Sequence, residues 1–263
     1  MNFDKLDKEM RIYEQSLDQC VLPGMHLLAR IDGRSFTRLT KEICNFEAPF
    51  DIRFRDIMAE TVKSLMDCGF NVVYGFTESD EISLLFHDEE KAFGRKVRKY
   101  DSVLAGQASA AFSMILGKLA VFDCRVIQIP TMERVIDYFQ WRQEDAHRNA
   151  LNSHCYWLLR KQGATVQQAT RQLIGKSIAY KNELLFQNGI NFNELPSWQK
   201  RGIGFYWANV VKKGFNPALQ IETETTRREI AVNYELPIKK KYEEFLTKII
   251  AAANAKQERG KRL

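Results

Sequence analysis

The chain has 263 residues, of which 45% are hydrophobic and 11% aromatic, so it can bury a sizeable core and is not expected to be disordered. It has no run of about 18 apolar residues, which a membrane span requires, and its charged start does not resemble a signal peptide. We therefore expect a cytoplasmic protein with no membrane partner. Lysine plus arginine number 39 against 33 acidic residues, a net charge of +6 that favours a polyanionic partner.

The first half of the chain alternates strand-like and helix-like patterns. Short apolar runs between turn residues predict strands, and apolar residues at helical spacing predict helices. Their order is β-α-β-β-α-β, the ferredoxin-like arrangement, which is also the layout of polymerase palm domains. The predicted strands cover residues 26–31, 71–74, 82–86 and 124–129, and the predicted helices cover residues 49–66 and 102–116.

The second half is predicted to be mainly helical, with a small β element. Thr131 and Thr165 each precede a helical pattern and can cap the helix that follows. The predicted helices run from residue 131 toward Arg160, after residue 165, around Lys181 and from residue 239 onward, and the predicted strands cover residues 204–211 and 229–234.

These patterns predict an α+β fold with two parts. Residues 1–130 form a palm-like core, and residues 131–263 form a helical and β extension. No linker-like composition separates the parts. The extension should therefore pack on the core, so that the chain forms one continuous domain.

Acidic residues are expected to meet at one edge of the predicted sheet. In a split βαβ unit the first and third strands pair antiparallel, so the end of the first lies beside the start of the third. Asp32 follows the first predicted strand, whereas Asp80 and Glu81 immediately precede the third. The carboxylates of Asp32 and Asp80 should therefore converge, although they are far apart in the sequence.

Two converging carboxylates suit two Mg²⁺ ions. Mg²⁺ prefers oxygen ligands and typically uses one or two carboxylates together with substrate phosphates. Paired ions can activate an attacking hydroxyl and neutralise a leaving pyrophosphate. The residues from Gly33 to Phe36 suit a phosphate site, because glycine lets the backbone approach closely. Taken alone, each motif could also be a plain Asp-Gly turn or a polar hairpin tip.

Several motifs together carry a family resemblance. Arg-Ile-Asp-Gly-Arg-Ser-Phe at residues 30–36 and Ser-Asp-Glu at residues 79–81 resemble the two active-site motifs of the tRNA-histidine guanylyltransferases. Members of this family add nucleotides to a tRNA 5′ end in the 3′-to-5′ direction. The resemblance covers roughly residues 20–235, with further matches, in the same order, at residues 141–143, 147–149, 181–183 and 193–196.

The resemblance implies a palm-like catalytic core in residues 1–130, a homo-tetramer built as a dimer of dimers, and tRNA as the partner. Residues 131–263 would then have a role in tRNA contacts and oligomerisation. It implies that Asp32, the Gly33 carbonyl and Asp80 hold two Mg²⁺ ions, and that Asp32, Asp80 and Lys181 are catalytic. ATP would first activate the tRNA 5′ phosphate, and the 3′ hydroxyl of GTP or another nucleoside triphosphate would then attack. The implied nucleotide-binding residues are Asp32, Gly33, Arg34, Ser35, Phe36, Thr37, Ser79 and Asp80, and those implied at the tRNA or its activated end are Arg30, His147, Asn149 and Lys181.

The sequence also departs from the family pattern. Ala48 stands before Pro49 where the eukaryotic type has lysine, and the motif H-I-N-N-L-Y-N reads H-R-N-A-L-N-S at residues 147–153. Residues 76–78 separate Tyr-Gly from Ser79, where the family usually has a single residue. These departures resemble the bacterial and archaeal branch, which repairs truncated tRNA 5′ ends by templated addition. The alternative within the family is a dedicated tRNA-histidine guanylyltransferase.

Two other classes of function remain open at this point. A nucleotide cyclase or dinucleotide synthase could use the same palm and needs no RNA surface, whereas a catalytically silent RNA-binding protein would not need Asp32 and Asp80. Arginines mixed with aromatic residues on the long helix suggest an RNA surface, and a solvated basic face is the alternative. The arginines are Arg134, Arg142, Arg148 and Arg160, and the end of the chain adds the basic residues Lys256, Arg259, Lys261 and Arg262.

Overall fold

Four antiparallel strands form the predicted ferredoxin-like sheet in a computed structural model that describes residues 2–216 and 221–260. Strand β1 (His26–Gly33) lies between β3 (Glu81–Phe86) and β4 (Phe122–Ile129) and pairs antiparallel with both. Strand β2 (Val72–Glu78) pairs with the other edge of β3. The predicted pairing of the first and third strands is therefore confirmed.

Helices cover both faces of this sheet. Side chains alternate between the two faces along a strand, so Ile31 of β1 belongs to one apolar core and Leu28 to the other. The first core lies under α3 (Ile52–Met66) and α4 (Val97–Leu116), and the second lies under α5 (Met132–Lys161) and α9 (Lys240–Gly260).

The second half of the chain extends the same sheet. Strands β5 (Ile203–Asn216) and β6 (Ile221–Asn233) form a hairpin, and β5 pairs with β2 along Tyr74–Thr77. The sheet then has the order β4-β1-β3-β2-β5-β6. Both hairpin strands are longer than predicted, because they continue to pair with each other beyond the point where β5 leaves β2.

The remaining helices are shorter or lie at the surface, and the sequence patterns predicted only some of them. Helices α6 (Val166–Leu173) and α7 (Ile178–Phe186) were predicted and pack on the C-terminal part of α5. Helix α1 (Phe3–Gln15) was not predicted, since it has no buried residue and so lacks a core pattern. Short unpredicted segments are α2 (Phe36–Arg38) with the π-helical turn Leu39–Ile43, the 3₁₀ turns Ala92–Arg95 and Phe192–Glu194, and α8 (Ser197–Arg201).

The α+β fold class is confirmed, with the β-α-β-β-α-β core and the mainly helical second half as expected. The division into residues 1–130 and 131–263 stays a prediction. Within the described ranges, no helix combines the length and the apolar character needed to cross a bilayer. The predicted basic residues Lys261 and Arg262 lie outside the described residues.

Candidate active site

The ends of β1 and β3 bring Asp32 and Asp80 together, as the element order predicted. Asp32 lies opposite Glu81 in the antiparallel register, and the backbone N–H of Gly33 donates to the carbonyl of Asp80 at 3.0 Å. Burial raises the pKa of the Asp80 carboxyl, and the negative charge of Asp32 raises it further. The two carboxylates are thus close enough to interact, and both line a cavity of about 460 Å³.

Gly33 is required by a close contact at the end of β1. A Cβ atom at this position would lie 2.4 Å from a ring carbon of Phe36. The Phe36 ring is 3% exposed and is surrounded by the rings of Phe54, Phe112 and Phe122, so it has little room to move. The glycine that suggested a phosphate site is therefore also imposed by the core beneath it.

The loop after β1 uses two of its backbone donors within the protein. Besides the Gly33 N–H, the Arg34 N–H donates to the carbonyl of Val121 at 2.8 Å. Ser35 has a left-handed φ of 61° and begins α2. Among the predicted nucleotide-binding residues, Asp32, Phe36, Thr37, Ser79 and Asp80 line the cavity, whereas Gly33, Arg34 and Ser35 are not part of its lining.

The hairpin that presents Asp80 is held by a buried arginine that the sequence analysis placed elsewhere. Arg142 donates from Nε to Glu81 Oε1 at 2.6 Å, and from Nη2 to Glu81 Oε2 at 2.7 Å and Glu78 Oε1 at 2.8 Å. It also lies 3.2 Å from Asp145 Oδ2 and is 4% exposed. Burial and the neighbouring Glu81 raise the pKa of Glu78 to about 8. We call these four residues the Arg142 network.

The expectation that Arg142 lies on a solvated RNA-binding face is therefore wrong. Its guanidinium points from α5 toward the β2–β3 hairpin, where two glutamates need a buried cation. Of the other arginines in that prediction, Arg134 and Arg148 are exposed and lie beside Asp137 and Asp145.

Two further arginines lie beside Asp32. Arg30 Nε and Arg125 Nη2 both donate to Asp32 Oδ2, at 3.2 and 2.9 Å. Arg30 Nε also lies 3.7 Å from Glu81 Oε2. Arg125 was not among the predicted site residues, although the element order contained the signal, because β4 pairs with β1 and places Arg125 opposite Arg30.

The far wall of the cavity is formed by α5 and by the loop before α3. Asn149, a predicted tRNA-contacting residue, lines this wall and donates to Asp145 Oδ2 at 3.4 Å. The Ala48–Pro49 peptide, which is cis, lies in the loop. Positions at which the sequence departs from the family motifs also line the cavity, namely Ala48, Ala150, Asn152 and Ser153.

Two predicted residues lie away from the carboxylates. The His147 ring packs against Phe192 with the ring centres 5.3 Å apart, and burial lowers the pKa of His147. Lys181 lies on α7, where its carbonyl accepts a hydrogen bond from Cys155 Sγ at 3.3 Å. Neither His147 nor Lys181 lines the cavity, whereas Arg30 reaches the site through Asp32.

The oxygen donors at the site fit Mg²⁺ that is completed by a substrate. Within the described part of the chain, no group of three or more His, Cys, Asp or Glu side chains forms a metal site on its own. Asp32 and Asp80 supply two carboxylates, the number that Mg²⁺ typically takes from protein before phosphates and water complete its shell. A cation at this position would also stabilise the ionised carboxylate of Asp80, which burial and the neighbouring charge of Asp32 disfavour.

The sequence of the chain matches one family along nearly its whole length. Residues 7–130 match the family described as tRNAHis guanylyltransferase, and residues 133–251 match the Thg1 C terminal domain. The chain belongs to the tRNA(His) guanylyltransferase family. A probable tRNA(His) guanylyltransferase of Drosophila melanogaster is 34% identical over 203 residues, which cover 73% of this chain and 70% of the relative. A tRNA(His) guanylyltransferase of Debaryomyces hansenii is 33% identical over 195 residues, which cover 69% of this chain and 73% of the relative.

Solved structures of tRNA(His) guanylyltransferases and Thg1-like proteins share the fold. A bacterial Thg1-like protein in complex with GTP has a TM-score of 0.70 and 26% identity, with 94% of this chain and 99% of that chain covered. The ATP complex of a bacterial Thg1-like protein has a TM-score of 0.73 and 26% identity and covers 93% and 99%. The Saccharomyces cerevisiae enzyme has a TM-score of 0.66 and 26% identity and covers 73% and 90%. The predicted family is confirmed, and this chain is a nucleotidyltransferase.

Proposed function

We propose that this protein adds a guanylate to the 5′ end of tRNA(His), with GTP as the nucleotide donor. The observation that carries the proposal is the convergence of Asp32 and Asp80 at a cavity, in a chain of the guanylyltransferase family. The names of its curated relatives support this specific activity over a general repair role.

We infer that Asp32, the Gly33 carbonyl and Asp80 hold two Mg²⁺ ions. Mg²⁺ bound there would neutralise triphosphate charge and favour deprotonation of the attacking 3′ hydroxyl. Asp32 and Asp80 provide the negative charge for binding, and the arginines beside Asp32 fix the direction of its carboxylate. Arg30 and Arg125 are also placed to balance charge on the departing pyrophosphate, because phosphoryl transfer depends on positioning and charge stabilisation.

The nucleotide contacts can be assigned more narrowly than from the sequence. The N–H groups of Gly33 and Arg34 are already bonded within the protein, so the triphosphate would meet the backbone of Phe36 and Thr37, which line the cavity. Ser79 also lines the cavity, although its hydroxyl donates to Asp80 Oδ1. The solved relatives with GTP and ATP support a nucleotide site in proteins of this fold.

The reaction would begin with ATP. We propose that the tRNA 5′ phosphate attacks the α-phosphate of ATP, which releases pyrophosphate and leaves an adenylylated end. GTP then attacks this end through its 3′ hydroxyl with release of AMP, and hydrolysis later removes pyrophosphate from the new 5′ end. Asn149 lines the cavity and could contact that end directly. Lys181 and His147 lie outside the cavity lining, so we assign them to the tRNA that extends beyond it.

Templated repair of truncated tRNA 5′ ends is the second candidate. Ala48 and Asn152, which replace larger side chains of the family motifs, line the cavity and leave room for a base pair with the opposite strand. Bacterial Thg1-like proteins also match more of this chain than the yeast enzyme does, 94% against 73%.

One substrate panel separates the two candidates. A tRNA that lacks its first 5′ nucleotide is prepared with each of the four bases opposite the gap, and every nucleoside triphosphate is supplied separately with ATP and Mg²⁺. Guanylate addition whatever the opposing base supports the dedicated guanylyltransferase. Addition that follows Watson–Crick pairing supports repair, and no addition to any of these truncated substrates contradicts repair.

We also propose a cytoplasmic homo-tetramer that binds tRNA. The net charge of +6 supports the tRNA contact, since counterion release from phosphates favours basic proteins. Light scattering behind size-exclusion chromatography measures the mass of the assembly directly. A monomeric mass at working concentrations would contradict the tetramer.

A further inference from the structure

The Arg142 network encloses the turn that presents Asp80. Glu78 ends β2 and Glu81 begins β3, so both glutamates flank the turn formed by Ser79 and Asp80. A single guanidinium reaches both flanks, at 2.8 Å to Glu78 and at 2.6 and 2.7 Å to Glu81. Glu78 and Glu81 are paired across the β2–β3 ladder, and one rigid planar group holds the carboxylates of both.

The turn needs such external support. Ser79 has a φ of 48°, a conformation that costs energy in a residue with a side chain. Glu78 and Glu81 both lie within 2.8 Å of the same guanidinium, so two acidic side chains share one partly buried region and need a cation between them. The Ser79 hydroxyl also donates to Asp80 Oδ1 at 3.1 Å, so a change in the turn would move the Asp80 carboxylate directly.

The arginine is itself held firmly. Residues next to it along α5 anchor the helix, because the Gln143 amide donates to the Pro237 carbonyl at 3.0 Å and the Tyr138 hydroxyl bonds Ser83 at 2.9 Å. The Trp141 ring lies 4.7 Å from the guanidinium carbon and adds a cation–π contact. Arg142 thus connects a fixed helix to the turn at the active-site edge of the sheet.

We infer that Arg142 is a positioning residue, which acts through Glu78 and Glu81 to hold the Asp80 carboxylate in its metal-binding direction. The inference rests on the proposed Mg²⁺ site. Arg142, Glu78 and Glu81 line the same cavity as Asp80. The proposed role of Arg142 is exerted through the two glutamates, and it requires the bidentate geometry of arginine in addition to its charge. Lysine keeps the charge but cannot bridge both glutamates with a planar group.

The test compares Arg142→Lys with a matched control, Arg134→Lys. Arg134 lies on the same helix, is 71% exposed and pairs with Asp137 at 2.8 Å. Mn²⁺ serves as the metal probe, and its affinity is measured by electron paramagnetic resonance with a non-reactive GTP analogue present. Thermal unfolding of each variant is recorded alongside the kcat and KM of nucleotide addition.

We expect Arg142→Lys to bind Mn²⁺ about 10- to 100-fold more weakly, with a similar loss in kcat. Its KM for tRNA and its Tm should stay near those of Arg134→Lys. A purely structural role would instead lower Tm without a selective loss of metal binding. Wild-type Mn²⁺ affinity in a folded Arg142→Lys variant would overturn the inference.

A second variant decides the question if Arg142→Lys does not fold. Glu81→Gln keeps the size of the side chain and leaves Glu78 and Asp145 to balance the guanidinium. Weakened Mn²⁺ binding by folded Glu81→Gln supports the inference, and unchanged binding overturns it. A wild-type protein that binds Mn²⁺ no better than Asp80→Asn would instead overturn the proposed metal site itself.

Discussion

Replacement of Gly33 by alanine tests the packing that shapes the active-site loop. The new Cβ would stand 2.4 Å from one Phe36 ring carbon and 2.7 Å from two others, well inside van der Waals contact. The ring cannot turn away freely, because Phe54, Phe112 and Phe122 surround it. Overpacking of this kind costs about 1–3 kcal/mol of unfolding free energy. The expected decrease in Tm is roughly 2–12 °C.

The same substitution should also reduce activity, because Asp32 precedes Gly33 directly. A shift of about 1 Å in a reacting group can cost about 100-fold in rate. Thermal unfolding and single-turnover nucleotide addition measure the two effects on one preparation. The control is Gly106→Ala, at an exposed position in α4 with nothing within 4 Å of its Cβ. That change should raise stability by up to about 1 kcal/mol through helix propensity.

A double variant isolates the contact between Gly33 and Phe36. Phe36→Leu removes the ring atoms that the new Cβ would meet. The free-energy cost of Gly33→Ala combined with Phe36→Leu should therefore be smaller than the sum of the two separate costs. If Gly33→Ala alone unfolds at the wild-type Tm and reacts at the wild-type rate, the assigned reason for glycine is wrong.

Three further outcomes are expected. Asp80→Asn should keep the fold, since a neutral side chain suits its half-buried position, yet lose nucleotide addition through several kcal/mol of lost metal-assisted stabilisation. Turnover near that of the wild type would contradict the metal assignment. Burial lowers the pKa of His147 and of His154 below the usual 6.5. The unfolded chain therefore takes up protons more readily than the folded protein, and the free energy of unfolding should fall as the pH decreases below about 6.5. Denaturant titrations should show that the free energy of unfolding depends less on pH in the double variant His147→Gln/His154→Gln. An unchanged pH dependence would show that these histidines are not its cause. The logarithm of tRNA affinity should fall linearly with the logarithm of salt concentration, and a flat dependence in filter-binding titrations would argue against phosphate contacts.

The convergence of Asp32 and Asp80 could be predicted from the sequence because it follows from strand order alone. Once the β-α-β-β-α-β order is recognised, antiparallel pairing of the first and third strands places these residues side by side. The same reasoning extends to Arg125, which the order of the strands places opposite Arg30. Active-site positions that depend only on topology are therefore accessible without coordinates.

The place of Arg142 could not be predicted in the same way. Helical periodicity predicts the face of the helix on which a residue lies. It does not show that two glutamates of the β2–β3 hairpin lie opposite that face. Hydrophobicity even suggests the reverse of what is found, since Trp141 is 52% exposed and Arg142 is 4% exposed. Buried ion pairs depend on tertiary contacts, and only those contacts identify them.

The length of the β5–β6 hairpin was underestimated for a related reason. Its inner end, near Phe205, contributes to the core and carries an apolar signal. Beyond that end the strands pair mainly with each other. Residues there, such as the cross-strand partners Val211 and Thr226, are exposed to solvent and give no apolar pattern. Backbone pairing alone leaves little trace in a sequence, whereas burial leaves a strong one.

We propose that this protein extends the 5′ end of tRNA(His) by one guanylate. The most direct measurement uses 5′-monophosphorylated tRNA(His), ATP, Mg²⁺ and GTP labelled at its α-phosphorus, followed by mapping of the labelled nucleotide in the product. The account predicts one labelled guanylate at the 5′ end, in a reaction that requires ATP and is lost in Asp80→Asn. Absence of label from the 5′ end of the tRNA, or undiminished labelling by Asp80→Asn, would contradict it.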